Sequence, residues 1–384
     1  MPKSEYDKLI LRHLYAARKA TRTELAESLL IRKNTVGDLC QLLIDRGMIR
    51  EIGDGRVRNA ELELNRSSFV SIGLENRVNE VRFVLLDALG EELHRVTLSI
   101  KNNSYDQRVL EIIAEIRELI GECRIDARSV VGVGFSDFIP HDSGSGLKTK
   151  SIHAPGWGSV NIKGRLEAAL GFPVICLRCT DARSHAEFAR SVFDGNDTFI
   201  TIQLDAGIGA SVFKGGDFFR GSTEIFGEIG HSVYRGEGNV CKCGNRGCLE
   251  TYAGTETVVR NVRDHLSNGV AFRHAGPSDD ISLDDIIANA KEGNKLALLV
   301  LNEAATAVGD TLANVVNLLG ITRIVIYGDL AKAGDLLLEN LRDSIGTHCV
   351  YPLNQEVEIR LSELDEYACA VGAGLVVLRR HFGI

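Results

Sequence analysis

The sequence predicts a mixed α/β protein in two parts: a small N-terminal unit of three helices and a hairpin, then a longer body in which strands and helices alternate. Two observations carry this. Apolar residues in the first 66 positions recur at helical spacing three times and then switch to two short strands, whereas from Phe69 onward β-type and helical runs intermix. Charge changes at the same place: residues 1–66 hold 13 Lys+Arg against 10 Asp+Glu, or +3, leaving 31 against 42, or −11, for the rest. At 384 residues the chain is too long for one ordinary core, so two or three domains are expected. With 44% hydrophobic and 25% charged residues it is globular rather than disordered. No uninterrupted apolar run is long enough to span a bilayer, and the opening "MPKSEYDKLILRHLY" lacks a secretory apolar core. A cytoplasmic chain is expected, with its nine cysteines serving as thiols or metal ligands rather than disulfides.

In the first 66 residues, "SEYDKLILRHLYAARKA" places Leu9, Ile10, Leu14 and Ala17 near one helical stripe. "TRTELAESLLI" opens on Thr21 with Glu24 three residues later, the pattern of a capping box. "RKNTVGDLCQLLIDRGMI" aligns Val36, Leu39, Leu43 and Ile44, with Gly47 as its stop; "REIGDGRVRNAELELN" reads as two strands around a Gly53-Asp54-Gly55 turn. Three short helices and a hairpin make a winged helix-turn-helix, whose third helix enters the DNA major groove with its N-terminal residues near base edges. Those residues are Arg32, Lys33, Asn34 and Thr35. Arg pairs with guanine and Asn with adenine, while Lys and Thr hold phosphate. Arg56 and Arg58 stand at the wing tip, where backbone or minor-groove contacts are made. The same module also serves protein contacts in which such charges are merely solvated.

In the body, "FVSIGLENRVNEVRFVLLDALGEELHRVTLSI" reads as strands joined by turns and "DQRVLEIIAEIRELIGECRI" as a helix before the strand "SVVGVGFS". "FPVICLRCTDARSHAEFARSVF" is strand, turn and helix; "TFITIQLDAGIGASVFKGGDFFRG" is a hairpin; "LALLVLNEAATAVGDTLANVVNLL" is a long helix leading into the strand "RIVIYGD". His231, Cys241, Cys243 and Cys248 give H-x9-C-x-C-x4-C on a glycine-rich loop. Three thiols and an imidazole suit tetrahedral zinc, and four protein ligands leave no position for a reacting water, so the ion is expected to be structural. A set of free cysteines in a loop is the alternative.

"GEIGH", "CKCGNRGCLE", "PGW" and the "TDA" turn, in this order of elements, resemble the ROK family (repressor, open reading frame, kinase) from Phe69 to the C-terminus. The resemblance implies a two-lobed actin-like, sugar-kinase-like body behind the winged helix. It implies domains at 1–66, at 69–181 completed by the C-terminal helix 368–384, and at 182–367 with the zinc loop. It places sugar-holding groups at Glu228, His231 and Glu250, and at Thr180 and Asp181, with His153 in "SIHAPGW" where the family has asparagine. Thr180 likewise replaces an asparagine, and "SDF" brings Asp137 to the sugar edge, so a sugar other than plain glucose is implied. In the family's kinases Asp181's counterpart is the catalytic base. The phosphate loops, however, are altered. The first reads "ENRVN" at 75–79, with Arg77 and Val78 where glycines let a phosphate approach. The second reads "DAGIG" at 205–209, with Asp205 where a phosphate would lie, and "IVIYGDL" keeps one glycine, Gly328. A non-catalytic, sugar-responsive repressor acting on operator DNA is therefore expected, as a homodimer or higher homo-oligomer with the helix around 296–319 a candidate interface. An ATP-dependent sugar kinase with an accessory DNA-binding head is the alternative, as is a protein effector in place of the sugar.

Overall fold

The computed structural model describes residues 5–52, 60–100, 104–137, 161–190, 198–222, 225–267, 272 and 280–384. His153, Arg56, Arg58, the Gly53-Asp54-Gly55 turn and the "PGW" segment lie outside them.

The N-terminal head comprises α1 (Glu5–Ala17), β1 (Lys19–Thr21), α2 (Arg22–Ser28), α3 (Lys33–Asp45), β2 (Ile49–Ile52) and β3 (Glu61–Leu64). The Thr21 side chain accepts from Glu24 N–H while the Glu24 carboxylate accepts from Thr21 N–H, so the capping box starts α2. Gly47, at φ 69°, turns the chain out of α3. The strands form an antiparallel sheet in the order β1-β3-β2, so the hairpin gains a third strand from the α1–α2 connection. Helix α1 buries Ile10, Leu11, Leu14 and Tyr15 rather than the stripe through Leu9 and Ala17. The face is rotated because α1 packs on α3 on one side and on the C-terminal helix on the other.

The body begins with β4 (Val70–Asn76), β5 (Glu80–Leu86), β6 (Glu92–Ser99), α4 (Tyr105–Glu122), β7 (Val130–Asp137), α5 (Ile162–Leu170), β8 (Val174–Arg178) and α6 (Cys179–Ala189). It continues with β9 (Phe199–Leu204), β10 (Ile208–Lys214), β11 (Asp217–Phe218), α7 (Glu250–Ala253), α8 (Thr255–Ser267), α9 (Leu283–Lys291) and α10 (Lys295–Leu319). β12 (Arg323–Tyr327), α11 (Asp335–His348), β13 (Glu358–Leu361) and α12 (Ala368–Phe382) complete it. The chain divides into two compact units, Met1–Ala186 with Asp365–Ile384, and Glu187–Leu364. Each unit holds a five-stranded sheet, ordered β6-β5-β4-β7-β8 in the first and β11-β10-β9-β12-β13 in the second. Both place an antiparallel hairpin pair beside three parallel strands, so one topology occurs twice, as an actin-like sugar-kinase fold requires.

In the first unit α12 lies directly on the sheet. A Cβ at Gly73 would fall 1.9 Å from Ala370 O, and one at Gly134 would fall 2.2 Å from Ala373 O, so only glycine permits this approach. The far end of α12 reaches the head: Phe382 stacks on Tyr15 at 4.7 Å and meets Phe69 edge-on at 5.2 Å. Leu11, Leu14, Val84, Leu86 and Leu378 are fully buried in this same core, which joins head and body. In the second unit the core gathers around α10, the one helix among the described residues long and apolar enough to cross a membrane; its Leu296, Ala297, Val300, Leu301, Ala304, Ala305 face is buried against neighbouring helices.

Candidate metal and ligand sites

The metal loop is built by two short backbone bridges. Val233 pairs with Cys248 and Val240 with Arg246, so the segment after His231 runs antiparallel to the segment ahead of Glu250. Gly244 (φ 94°) and Gly247 (φ 71°) make the reversals, and a Cβ at Gly247 would fall 1.6 Å from Arg235 O. The donor atoms of His231, Cys241, Cys243 and Cys248 all lie within 4.8 Å of one another. Cys243 Sγ is 3.7 Å from Cys248 Sγ, and Cys241 Sγ is 3.6 Å from His231 Nδ1. A tetrahedron with Zn–S of about 2.3 Å and Zn–N of about 2.0–2.1 Å has S···S and S···N edges of roughly 3.8 and 3.6 Å. The donor set and its spacing therefore fit a tetrahedral ion. Without an ion, burial first and then the neighbouring Cys243 and Cys241 push the Cys248 thiol up to about 12. Such a thiol stays protonated until a cation displaces the proton.

The residues attached to this loop keep open hydrogen-bonding capacity. Glu250 opens α7 and is 8% exposed, and among the described residues nothing hydrogen-bonds its carboxylate. Glu228 precedes the turn that carries His231, is half-buried, and likewise has no side-chain partner among the described residues.

In the first unit, Thr180 and Asp181 are buried at the start of α6. Both Asp181 oxygens are engaged by one guanidinium: Arg178 Nη2 donates to Oδ1 at 2.6 Å and Nε to Oδ2 at 3.0 Å. The sequence reading does not include Arg178, which ends β8 three residues before Asp181 and so lies beside it where the strand turns into α6. Asp137 is not left open at an edge. It is fully buried and accepts from Asn76 Nδ2 at 3.1 Å, while Asn76 Oδ1 accepts from the buried Arg108 at 2.7 Å. The adjoining β4 and β7 bring residues 76 and 137 face to face, which commits Asp137 to an internal network.

The two turns at 75–79 and 205–209 are also internally engaged. Arg77 N–H closes the β4–β5 turn on Glu80 O at 2.9 Å, Arg77 and Val78 carbonyls accept from Arg108, and Arg77 Nη1 donates to Glu75 Oε1 at 3.1 Å. Burial raises the pKa of Glu75 above the usual carboxylate range, and the facing Arg77 and Arg82 offset part of that. Asp205 accepts from Gln203 Nε2 at 2.7 Å and from Asp329 N–H at 2.5 Å. A Cβ at Gly328 would fall 2.8 Å from Asp205 Oδ1, so the carboxylate fills the space beside that turn.

In the head, Arg32, Lys33, Asn34 and Thr35 are all exposed at the start of α3, and Arg32 is its N-cap without a capping side chain.

Residues 71–380 match the ROK family. The chain is 24% identical over 379 residues to the xylose repressor of Caldicellulosiruptor bescii, covering 96% of this chain and 94% of that one. It is 29% identical over 252 residues to the glucokinase of Halalkalibacterium halodurans, covering 64% of this chain and 75% of that one. Among solved structures it resembles a ROK family transcriptional regulator described as a homolog of E. coli MLC protein. That match has a TM-score of 0.84, 22% identity and coverage of 98% and 97%. The repressor match includes the head, the glucokinase match leaves about a third of the chain aside, and the family match spans both units of the body: the chain belongs to the ROK family.

Proposed function

We propose that this protein is a cytoplasmic, sugar-responsive transcriptional repressor: a winged helix-turn-helix that binds operator DNA, fused to a non-catalytic sugar-kinase-like body. The observation that carries the reading is the full-length likeness to a xylose repressor, head included. Residues Arg32 to Thr35 of the recognition helix, with Arg56 and Arg58 of the wing, are the proposed DNA contacts. A dimer is proposed because such heads read paired half-sites.

Zinc, held by His231, Cys241, Cys243 and Cys248, is proposed as a structural ion that fixes the loop carrying Glu228, His231 and Glu250. The Glu228 and Glu250 carboxylates then face a polyol, whose hydroxyls donate to them, and His231 joins them on the strength of the resemblance. A buried carboxylate such as Glu250 without a protein partner is costly unless a ligand or water satisfies it. His153, Thr180 and Asp181 carry the same proposed role on the strength of the resemblance alone.

Absence of kinase activity is supported by the engaged groups. A catalytic base needs a carboxylate oxygen directed at the substrate hydroxyl, and both Asp181 oxygens accept from Arg178. A phosphate loop needs outward N–H groups, and the 75–79 turn presents two carbonyls to Arg108 instead. The glucokinase relative favours the second reading, a sugar kinase with an accessory head. Signal transfer within the first unit is assigned to α12, which meets α6 at one end, where Gly372 abuts Ala182 O, and the head at the other, where Phe382 stacks on Tyr15.

One screen separates the readings: thermal unfolding of zinc-replete protein against sugars, sugar phosphates and Mg-ATP. A ligand at a hundred times its Kd adds about 2.7 kcal/mol to the folded state. Stabilisation by one sugar class and none by ATP is expected, whereas an ATP shift with sugar-dependent ADP release would establish the kinase.

A further inference from the structure

The recognition helix carries an acidic residue on the face meant for DNA. Val36, Cys40 and Leu43 are fully buried under α3. On a 3.6-residue period Asn34, Asp38 and Gln41 lie together on the opposite face. Gln41 Nε2 is tied to Asp45 Oδ1 at 2.9 Å. Asp38 is exposed, and among the described residues no hydrogen bond or ion pair engages it. Gly37 stands next to it inside the helix with no positive φ, and a Cβ there would meet nothing within 4 Å. The head's own packing therefore does not require glycine at 37, although glycine weakens a helix. Its effect is outward: the helix backbone is bare beside Asp38 and able to settle close to a groove floor.

We propose that Asp38 is a specificity-determining residue that reads a cytosine in the major groove of the operator. An ionised carboxylate only accepts hydrogen bonds, and near DNA it is repelled by phosphates unless a base donates to it. The major groove offers two donors, cytosine N4–H2 and adenine N6–H2. The adenine amine sits beside the N7 acceptor, which opposes a second oxygen; the cytosine amine sits beside a C–H, which does not. Asn34, one turn earlier on the same face, suits adenine, so the two residues read neighbouring base pairs with different chemistry.

The inference rests on the head binding DNA. The test is selection from a randomised duplex pool by full-length protein, run in parallel with Asp38→Ala and Asp38→Asn. Both substitutions are at an exposed position, and matched thermal unfolding confirms that they fold. The wild type is expected to enrich a C·G pair at one fixed half-site position. Asp38→Ala is expected to lose that preference by about tenfold, keep the remaining consensus, and bind unrelated duplex more tightly because a charge repelled by phosphate is gone. Asp38→Asn is expected to move the preference toward adenine. The same cytosine preference in Asp38→Ala overturns the proposal. Failure of the wild type to enrich any sequence overturns the DNA-binding reading and the proposal with it, a result distinct from a consensus shared by both proteins.

Discussion

The metal loop at 231–250 and the turns at 75–79 and 205–209 are all tight reversals, yet their polar groups are disposed in opposite ways. In the metal loop three thiols and an imidazole converge within 4.8 Å of one another, and the attached Glu250 and Glu228 carboxylates have no hydrogen-bond partner among the described residues. In the two turns most polar groups are taken up internally: Arg77 holds Glu75 Oε1, Arg108 takes two carbonyls, and Asp205 takes the N–H of Asp329, with Glu75 Oε2 and Arg108 Nε the buried atoms that gain no hydrogen bond among the described residues. Buried polar groups are costly when unpaired, so an open one is available to a ligand and one paired internally is not. By that criterion the carboxylates beside the metal loop are open to a ligand, as the proposed polyol site needs, and most groups of the two turns are committed to internal structure.

The sharpest way to break the comparison is to remove the metal. Cys248→Ser, fully buried within the donor set, is expected to lose bound zinc and to cost several kcal/mol, roughly 3–5. Denaturant unfolding with zinc analysis checks this, and chelation of the wild type should reproduce it. An unfolding midpoint unchanged by either treatment would mean that the cysteines are simply packed thiols.

The next effect separates open from engaged carboxylates. Glu250→Gln should weaken the effector by about 2 kcal/mol, roughly thirtyfold, while leaving the unliganded protein as stable as before, because no protein partner is lost. Asp205→Asn should do the reverse, costing about 1 kcal/mol of stability through its weakened bond to Asp329 N–H while sugar affinity holds. Calorimetric titration and thermal unfolding of both variants read the contrast. Equal loss of sugar affinity in the two would show that the 205–209 turn still serves the ligand.

Much of this was legible in sequence because it depends on local rules. The capping box at Thr21–Glu24 and the H-x9-C-x-C-x4-C spacing specify geometry over a few residues, and the structure has both. What escaped depends on which distant segment covers a residue. Asp137 reads as a pocket residue until β4 is laid beside β7 and Asn76 meets it. The buried face of α1 is set by α12, more than three hundred residues away in the chain, so helical periodicity alone rotated it. Glycines in "VSIGLEN" and "VGVGFS" signal close approach, but not that α12 is what approaches.

A smaller and more discriminating effect lies at Glu75, where the comparison turns on protonation. Burial raises its pKa above the model-peptide value of 4.5, and Arg77 and Arg82 pull in the opposite direction without prevailing. As pH rises past that value the unfolded chain releases this proton while the native state still holds it. The unfolded state then binds fewer protons, and stability falls with rising pH until the native carboxyl also ionises. Glu75→Gln removes the titration. Its stability relative to wild type should therefore climb as pH rises from about 4.5 and level off once the native carboxyl has ionised. Urea unfolding of both proteins at a series of pH values measures this directly. If the wild type instead gains on the variant as pH rises, the ion pair with Arg77 outweighs burial, and the first turn is held by a charged carboxylate rather than a protonated one.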